Sequence, residues 1–381
     1  MVFFIIIALL IYLSANYYIL IRLLQALQGI PFSLKLVISI VFIICAFSYI
    51  IAKVLFANTN SIIYDIFLWV GSIWYSFLLY GLISVFLLDI IRWTNNWWGY
   101  LPQFLFHNYP LTKFWTGLII IMAISITTLL GYFNATNIKL KNLEFTFPKM
   151  GGNLDEITIL FFSVLHLTPV NDGRMLSQLI NYSKTENPDL ILIGGDLIDD
   201  KPVHLKRIGI DKMLQQFKFK YGIYAINGNH ELINGVDISD KFIEDCGIPI
   251  LRDSIIEVGE SIQIIGREDR SIKEFAHKDR KSLNEIIKSL NPQLPMILLD
   301  HQPFNLSEAQ SSNINLELSG HTHYAQFFPL NFILYLIYEK PWGYLKKGNT
   351  HYYISSGAGT WGPPIRTGSD SEAMLIKIKF E

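Results

Sequence analysis

Four stretches of almost uninterrupted apolar residues, 2–24, 36–55, 66–91 and 114–133, dominate the first third of this chain. A helix needs about 20 apolar residues to cross a bilayer core. Lipid offers the backbone no hydrogen-bond partner, so runs of this kind fold as helices that satisfy their own polar groups. A buried helical bundle in a soluble protein would need polar faces, and these runs have almost none. Aromatic residues bracket them where an interfacial belt would lie, as at Trp93, Trp97, Trp98 and Tyr100. The third run is the longest, with room to tilt or to follow the interface at one end. The first has no basic flank and no small-residue cleavage site, so it reads as an anchor rather than a removed signal.

Four spans put the N-terminus and the C-terminal half on the same side. Arg22, Lys35, Arg92 and Lys113 fall on one side, and Lys53, Lys139, Lys141 and Lys149 on the other. The count is balanced. Short loops weigh most in orientation, which leans the C-terminal half to the extracytoplasmic face of a plasma membrane. The spans show no charged cluster suited to transport, and they read as an anchor or an oligomerisation bundle.

The remainder has a different character. Of 31 basic and 32 acidic residues, only five and two lie in the first 135. The rest is slightly acidic, with no basic footprint for nucleic acid. Cys45 and Cys246 fall in different halves and make no disulfide framework. The division predicted is a four-helix transmembrane region over 1–133 and a globular domain over 134–381. Residues 143–148 alternate polar and apolar, as a half-exposed strand does. Strand-length apolar runs follow at 157–162, 190–193, 223–226, 262–265, 296–299, 316–318, 352–355 and 374–378. Helical patterns occupy 173–184, 204–217, 239–246 and 281–289 between them. This alternation predicts an α/β domain with largely buried sheets.

Five short motifs directly follow such runs, and five of the nine histidines sit in them. They are Leu165-His166, Gly195-Asp196 with Asp199, Gly228-Asn229-His230-Glu231, Asp300-His301, and Gly320-His321 with His323. Side chains leaving several strand ends can converge on one site. Asp196 suits a bridging ligand, because a carboxylate can bind two cations and offset their charge. Asn229 offers a neutral amide oxygen. His230, displaced by one residue, would face substrate, protonating a leaving oxygen or stabilising phosphoryl charge. Asp199 would orient a neighbour. Imidazoles from His166, His301, His321 and His323 complete a donor set for zinc, iron or manganese rather than calcium. Taken singly, each motif is an ordinary turn or a structural histidine; the ordered set is not. His107, His204, His277 and His351 lack this context and read as structural or surface residues.

If the first strand ran on through residues 162–166, alternation would place positions 164 and 166 on one face, where both could serve one metal. Position 164 is Val, which cannot ligate, and Ser163 would point away.

The run of motifs resembles the calcineurin-like metallophosphoesterases, whose pattern is Asp-x-His, Gly-Asp-x-x-Asp, Gly-Asn-His-Asp/Glu, a lone His, and Gly-His-x-His. The likeness is to the membrane-anchored branch with N-terminal transmembrane helices, supported by Asn187-Pro188-Asp189-Leu190, Tyr221-Gly222-Ile223-Tyr224 and Gly359-Thr360-Trp361-Gly362-Pro363-Pro364. The resemblance implies a four-layer α/β/β/α sandwich holding two divalent metal ions. One would take His166, Asp196 and His323 plus the missing carboxylate; the other would take Asp196, Asn229, His301 and His321. A hydroxide bridging metals about 3.5–4 Å apart would attack a phosphomono- or diester in line, with His230 assisting the leaving group. Val164 removes an anionic ligand and should weaken the first metal. Three readings stay open: a weakened enzyme, a pseudo-enzyme serving as a membrane-anchored ligand- or partner-binding module, and a substituted form of an active parent. Beyond His323, residues 327–338 are nearly all apolar and Lys340, Trp342, Lys346 and Lys347 follow. This segment reads either as a core helix or as an interfacial segment presenting the site to lipid-associated phosphoesters.

Overall fold

The computed structural model describes residues 2–148, 152–171 and 173–381, so Lys149 of the charge comparison lies outside the described residues. The chain divides into two compact units, Met1–Gly131 and Tyr132–Glu381.

The first unit is helical. Helix α1 covers Val2–Ala26, α2 Phe32–Ile51 and α3 Ile62–Trp98, and a short α4 over Phe104–His107 precedes α5 at Tyr109–Ala135. Four of these are long and apolar enough to cross a membrane. Helix α2 runs on into a π-helical turn at Ala52–Phe56. Helix α3 has 37 residues, more than the predicted run, and closes on Gly99 with φ 59°. At about 1.5 Å per residue it outreaches a hydrocarbon core of about 30 Å. Composition gave no warning of one polar cluster. Asp89 accepts from Tyr18 and Arg22, and Arg92 lies 3.7 Å from it.

The second unit has two sheets. The strands are β1 (Lys139–Phe147), β2 (Glu156–Phe162), β3 (Leu190–Ile193), β4 (Gly222–Ala225), β5 (Ser254–Val258), β6 (Ile262–Gly266), β7 (Met296–Leu299), β8 (Leu316–Ser319), β9 (Gly343–Lys347), β10 (Thr350–Ile354) and β11 (Glu372–Phe380). One sheet has the order β1-β11-β2-β3-β4 and the other β5-β6-β7-β8-β10-β9. Period-two alternation separates the two faces of each strand. On β2, Ile157, Ile159 and Phe161 join a core shared with Ile264 of β6 and Leu316 of β8, so the sheets stack face to face. Leu160 and Phe162 face the other way, towards Leu176 and Leu179 of α6 (Arg174–Thr185). On the far side of the second sheet, Leu298 and Tyr352 pack with Leu283 and Ile286 of a helical turn at Leu283–Ile287. The layers are therefore helix, sheet, sheet, helix, as the resemblance implies.

Three local expectations change. The 204–217 pattern is two short helices, Pro202–Arg207 and Ile210–Leu214, broken at Gly209 with φ 79°. The edge strands β5 and β9 were not anticipated, because half-exposed edges dilute the apolar signal. Residues 327–338 are no core helix: one turn forms at Asn331–Leu334, and none of its residues is buried.

Candidate active site

Strands β2, β3 and β4 run parallel, as do β6, β7 and β8, and the motifs leave the C-terminal ends of these strands. Strand β2 ends at Phe162, so the expected alternation through position 166 does not hold. Instead Val164 and His166 turn with φ 47° and 48°, and Asp196, His321 and His323 also have positive φ. Bulky residues rarely occupy this region, and such strain concentrates at functional sites. Backbone bonds offset it: Val164 N–H donates to Gly195 O (2.9 Å) and His166 N–H to Asp196 O (3.0 Å). Gly195 (φ 85°) passes close to the cluster, since a Cβ there would lie 2.5 Å from His301 Nδ1.

The structure brings all seven predicted site residues together. Asp196 Oδ2 lies 3.0 Å from His301 Nε2 and 3.6 Å from His166 Nε2. His166 and His323 meet Nε2 to Nε2 at 2.9 Å. His321 Nδ1 lies 2.9 Å from Asn229 Oδ1. Donor atoms of Asp196, His301 and His321 fall within 4.8 Å of one another, as do those of His166, Asp196 and His230. His230 is also held from outside these groups, its Nδ1 lying 2.6 Å from Asp199 Oδ1.

These side chains fit a metal. His301 Nδ1 lies 2.7 Å from Gly194 O, and a carbonyl can only accept, so Nδ1 carries the proton. Its buried Nε2 faces Asp196 Oδ2 at 3.0 Å, so a cation binding between them would displace any proton held there. A backbone bond that sets the tautomer is the usual support for a metal-binding histidine. Electrostatics agree. Burial would raise the Asp196 carboxyl, but His301 and His230 outweigh it and hold Asp196 well below the usual range. Burial would lower His301, yet the adjoining Asp196 carboxylate raises it to about 10. Burial and then His301 push His321 down to about 3, and burial and His166 take His323 well below its ordinary value. His230, despite burial, is raised to about 9 by Asp196 and Asp199. One carboxylate thus faces imidazoles that cannot all be protonated, and a cation can replace the shared proton.

Two residues of this region had no assigned role. Glu231, fully buried, accepts from the backbone N–H groups of Gly228 (2.8 Å), Asp196 (3.0 Å) and Ile198 (3.0 Å). It ties the loop after β3 to the loop after β4. Its acid identity was visible in Gly-Asn-His-Glu, but its partners are long-range. Arg366, also fully buried, donates to Ser356 O and Gly359 O, with Nη2 3.3 Å from His323 Nδ1. A lone arginine beyond the last motif carries no sequence signal. Val164 is fully buried, and Gly357 passes so close to it that a Cβ there would overlap its side chain.

Comparison with known proteins agrees with the geometry. The calcineurin-like phosphoesterase family model matches residues 157–325. An uncharacterized metallophosphoesterase of Helicobacter pylori is 30% identical over 261 residues, which is 66% of this chain and 68% of that protein. One from Campylobacter jejuni is 33% identical over 247 residues, 63% of each chain. A Danio rerio transmembrane protein with metallophosphoesterase domain is 28% identical over 275 residues, 68% of this chain and 62% of that one. On this likeness of sequence, the chain belongs to the calcineurin-like metallophosphoesterase family.

Proposed function

We propose that this chain is a membrane-anchored, metal-dependent phosphoesterase acting on a phosphomono- or diester. The observation that carries the reading is Asp196, whose one carboxylate oxygen faces both His301 and His166 while His230 sits beside them. Asp196, Asn229, His301 and His321 would hold one divalent ion, and His166, His323 and Asp196 a second, manganese, iron or zinc suiting this donor set. When bound, such ions supply Lewis acidity and an activated water. The chain's own residues do the rest. Asp199 accepts from His230 Nδ1 and so fixes the ring. Held cationic, His230 can give a proton to the leaving oxygen or offset charge on the phosphoryl group. The four apolar helices would anchor the domain in the plasma membrane, and the short-loop charges favour the extracytoplasmic face.

One observation favours a second reading, a silent ligand- or partner-binding module: an isopropyl group buried at position 164. Purified full-length protein, loaded with manganese, iron or zinc, should hydrolyse an aryl phosphomono- or diester, and His230→Ala should cut turnover by about 100–10,000-fold without releasing metal. Metal binding without turnover of either ester would pass the lead to the binding module.

A further inference from the structure

The segment that follows the Gly320-His321 motif is apolar, exposed and fixed at the site. Between Phe328 and Ile337, six large hydrophobic side chains are exposed, Leu336 the most at 87%. Soluble surfaces rarely gather such residues in one run, and a patch of this kind marks an interaction site. Its far end returns to the chemistry, with the Tyr338 ring 6.4 Å from that of His321. A second exposed aromatic also adjoins the cluster, the Trp361 ring lying 5.9 Å from that of His230.

The two apolar elements form one rim. Gln326 accepts from Trp361 N–H (3.0 Å) and donates to Pro363 O (2.9 Å). Thr322, between His321 and His323, donates to Pro341 O (2.7 Å) at the return of the segment, and Tyr324 stacks on Trp342. Residues that carry the candidate ligands therefore also carry the rim.

Charge and connectivity indicate what covers it. Residues 326–347 hold Lys340, Lys346 and Lys347 against Glu339 alone. Apolar groups bordered by lysines suit insertion into a lipid interface, with ammonium groups at headgroup level. The last membrane-length helix ends at Ala135 and β1 begins at Lys139, so the chain leaves its span almost directly into the domain.

We infer that the rim of residues 328–337 and Trp361 seats in the bilayer interface, and that the substrate is a phosphoester on an amphiphile whose acyl chains stay in the membrane. The inference rests on the phosphoesterase reading of the same site and names its substrate class. The rim side chains lie outside the cluster that would hold the phosphoryl group. They recruit the lipid surface and leave the bond-breaking groups untouched.

The test uses the full-length, metal-loaded protein in proteoliposomes with two substrates. One is a water-soluble aryl phosphoester; the other is a diacyl phosphomonoester at about one tenth of the lipid in phosphatidylcholine vesicles. The double variant Phe332→Ser/Leu336→Ser should keep aryl turnover within about twofold and lose at least about tenfold on the vesicle lipid. Leu336→Phe, which restores apolar surface, should retain native vesicle activity. Equal vesicle turnover by the double variant and the native chain would overturn the inference. So would a native chain that cleaves the aryl ester but leaves the lipid phosphoester intact. Failure on both substrates with metal bound would instead bring down the phosphoesterase reading, and this one with it.

Discussion

His166 and His323 are joined ring nitrogen to ring nitrogen, 2.9 Å apart, and their rings stack with centroids 4.8 Å apart. One of the two must donate. On the other face of His323, Arg366 Nη2 lies 3.3 Å from Nδ1, and a guanidinium can only donate. That assigns the His323 proton to Nε2, the atom a metal would need. Around His301 the order is reversed, because Nδ1 donates to Gly194 O and Nε2 is the atom turned to the Asp196 carboxylate. The two halves of the cluster are thus unequally prepared, and Val164 withholds the anion that would redress the first half.

Metal should therefore fill the Asp196–Asn229–His301–His321 set first, with the His166–His323 set weaker. Val164→Asp supplies a carboxylate and should tighten the weaker site by about 10–100-fold, the range seen when a group supporting a metal is gained or lost. Elemental analysis after dialysis against graded chelator would show it. Two equally tight sites in the native chain would sink the idea.

The His230 ring is held by Asp199, while its backbone N–H donates to Asp196 Oδ1. His230→Ala should lower kcat by about 100–10,000-fold, the usual worth of a positioned acid, with metal content unchanged. Asp199→Asn should act in the same direction more weakly, since the amide still lies beside the ring. A metal content that fell in step with kcat would instead make His230 a ligand.

Much of this site was legible because each motif follows an apolar strand, and strand ends gather side chains at one edge of a sheet. Asp196, Asn229, His301 and His321 converge for that reason. The geometry at Val164 and His166 was not legible, because alternation assumes extended backbone and these residues turn with positive φ. Glu231 and Arg366 escaped for another reason: their partners are main-chain groups brought close only by the fold. The 327–338 segment illustrates a third limit. Apolar content fits a buried helix and an exposed rim alike, and only the fold shows which.

Glu231 is the clamp between the loops after β3 and β4. Burial and then the nearby Asp196 raise its carboxyl to about 7, while the N–H groups of Ile198 and Gly228 stabilise the anion. Glu231→Ala strands three buried donors, each worth about 1–3 kcal/mol when left unsatisfied. Partial relaxation should leave a net loss of about 3 kcal/mol, read by denaturant unfolding, together with weaker metal retention. Glu231→Gln keeps the shape but turns an amide donor towards an N–H, and should lie between. An alanine variant as stable as the native chain would show that the clamp is not needed.

Glu317 lies on β8, buried, with its Oε1 3.4 Å from Ser319 Oγ. Burial first, and then Asp300, raise its carboxyl well above the ordinary range, although Arg267 opposes them. A carboxyl raised on folding binds more protons folded than unfolded. Its favourable protonated state is fully present below the unfolded value near 4.5, and stability falls as pH rises from there through the folded value. The slope is about 1.4 kcal/mol per pH unit over that window. Glu317→Gln cannot ionise and lacks the loss. Its thermal midpoint should gain on that of the native chain as pH rises from 5 to 8. Because Glu317 lies outside the candidate ligand set, bound metal should not alter the trend. Parallel midpoints across that range would mean that Glu317 stays ionised in the fold, stabilised by Arg267.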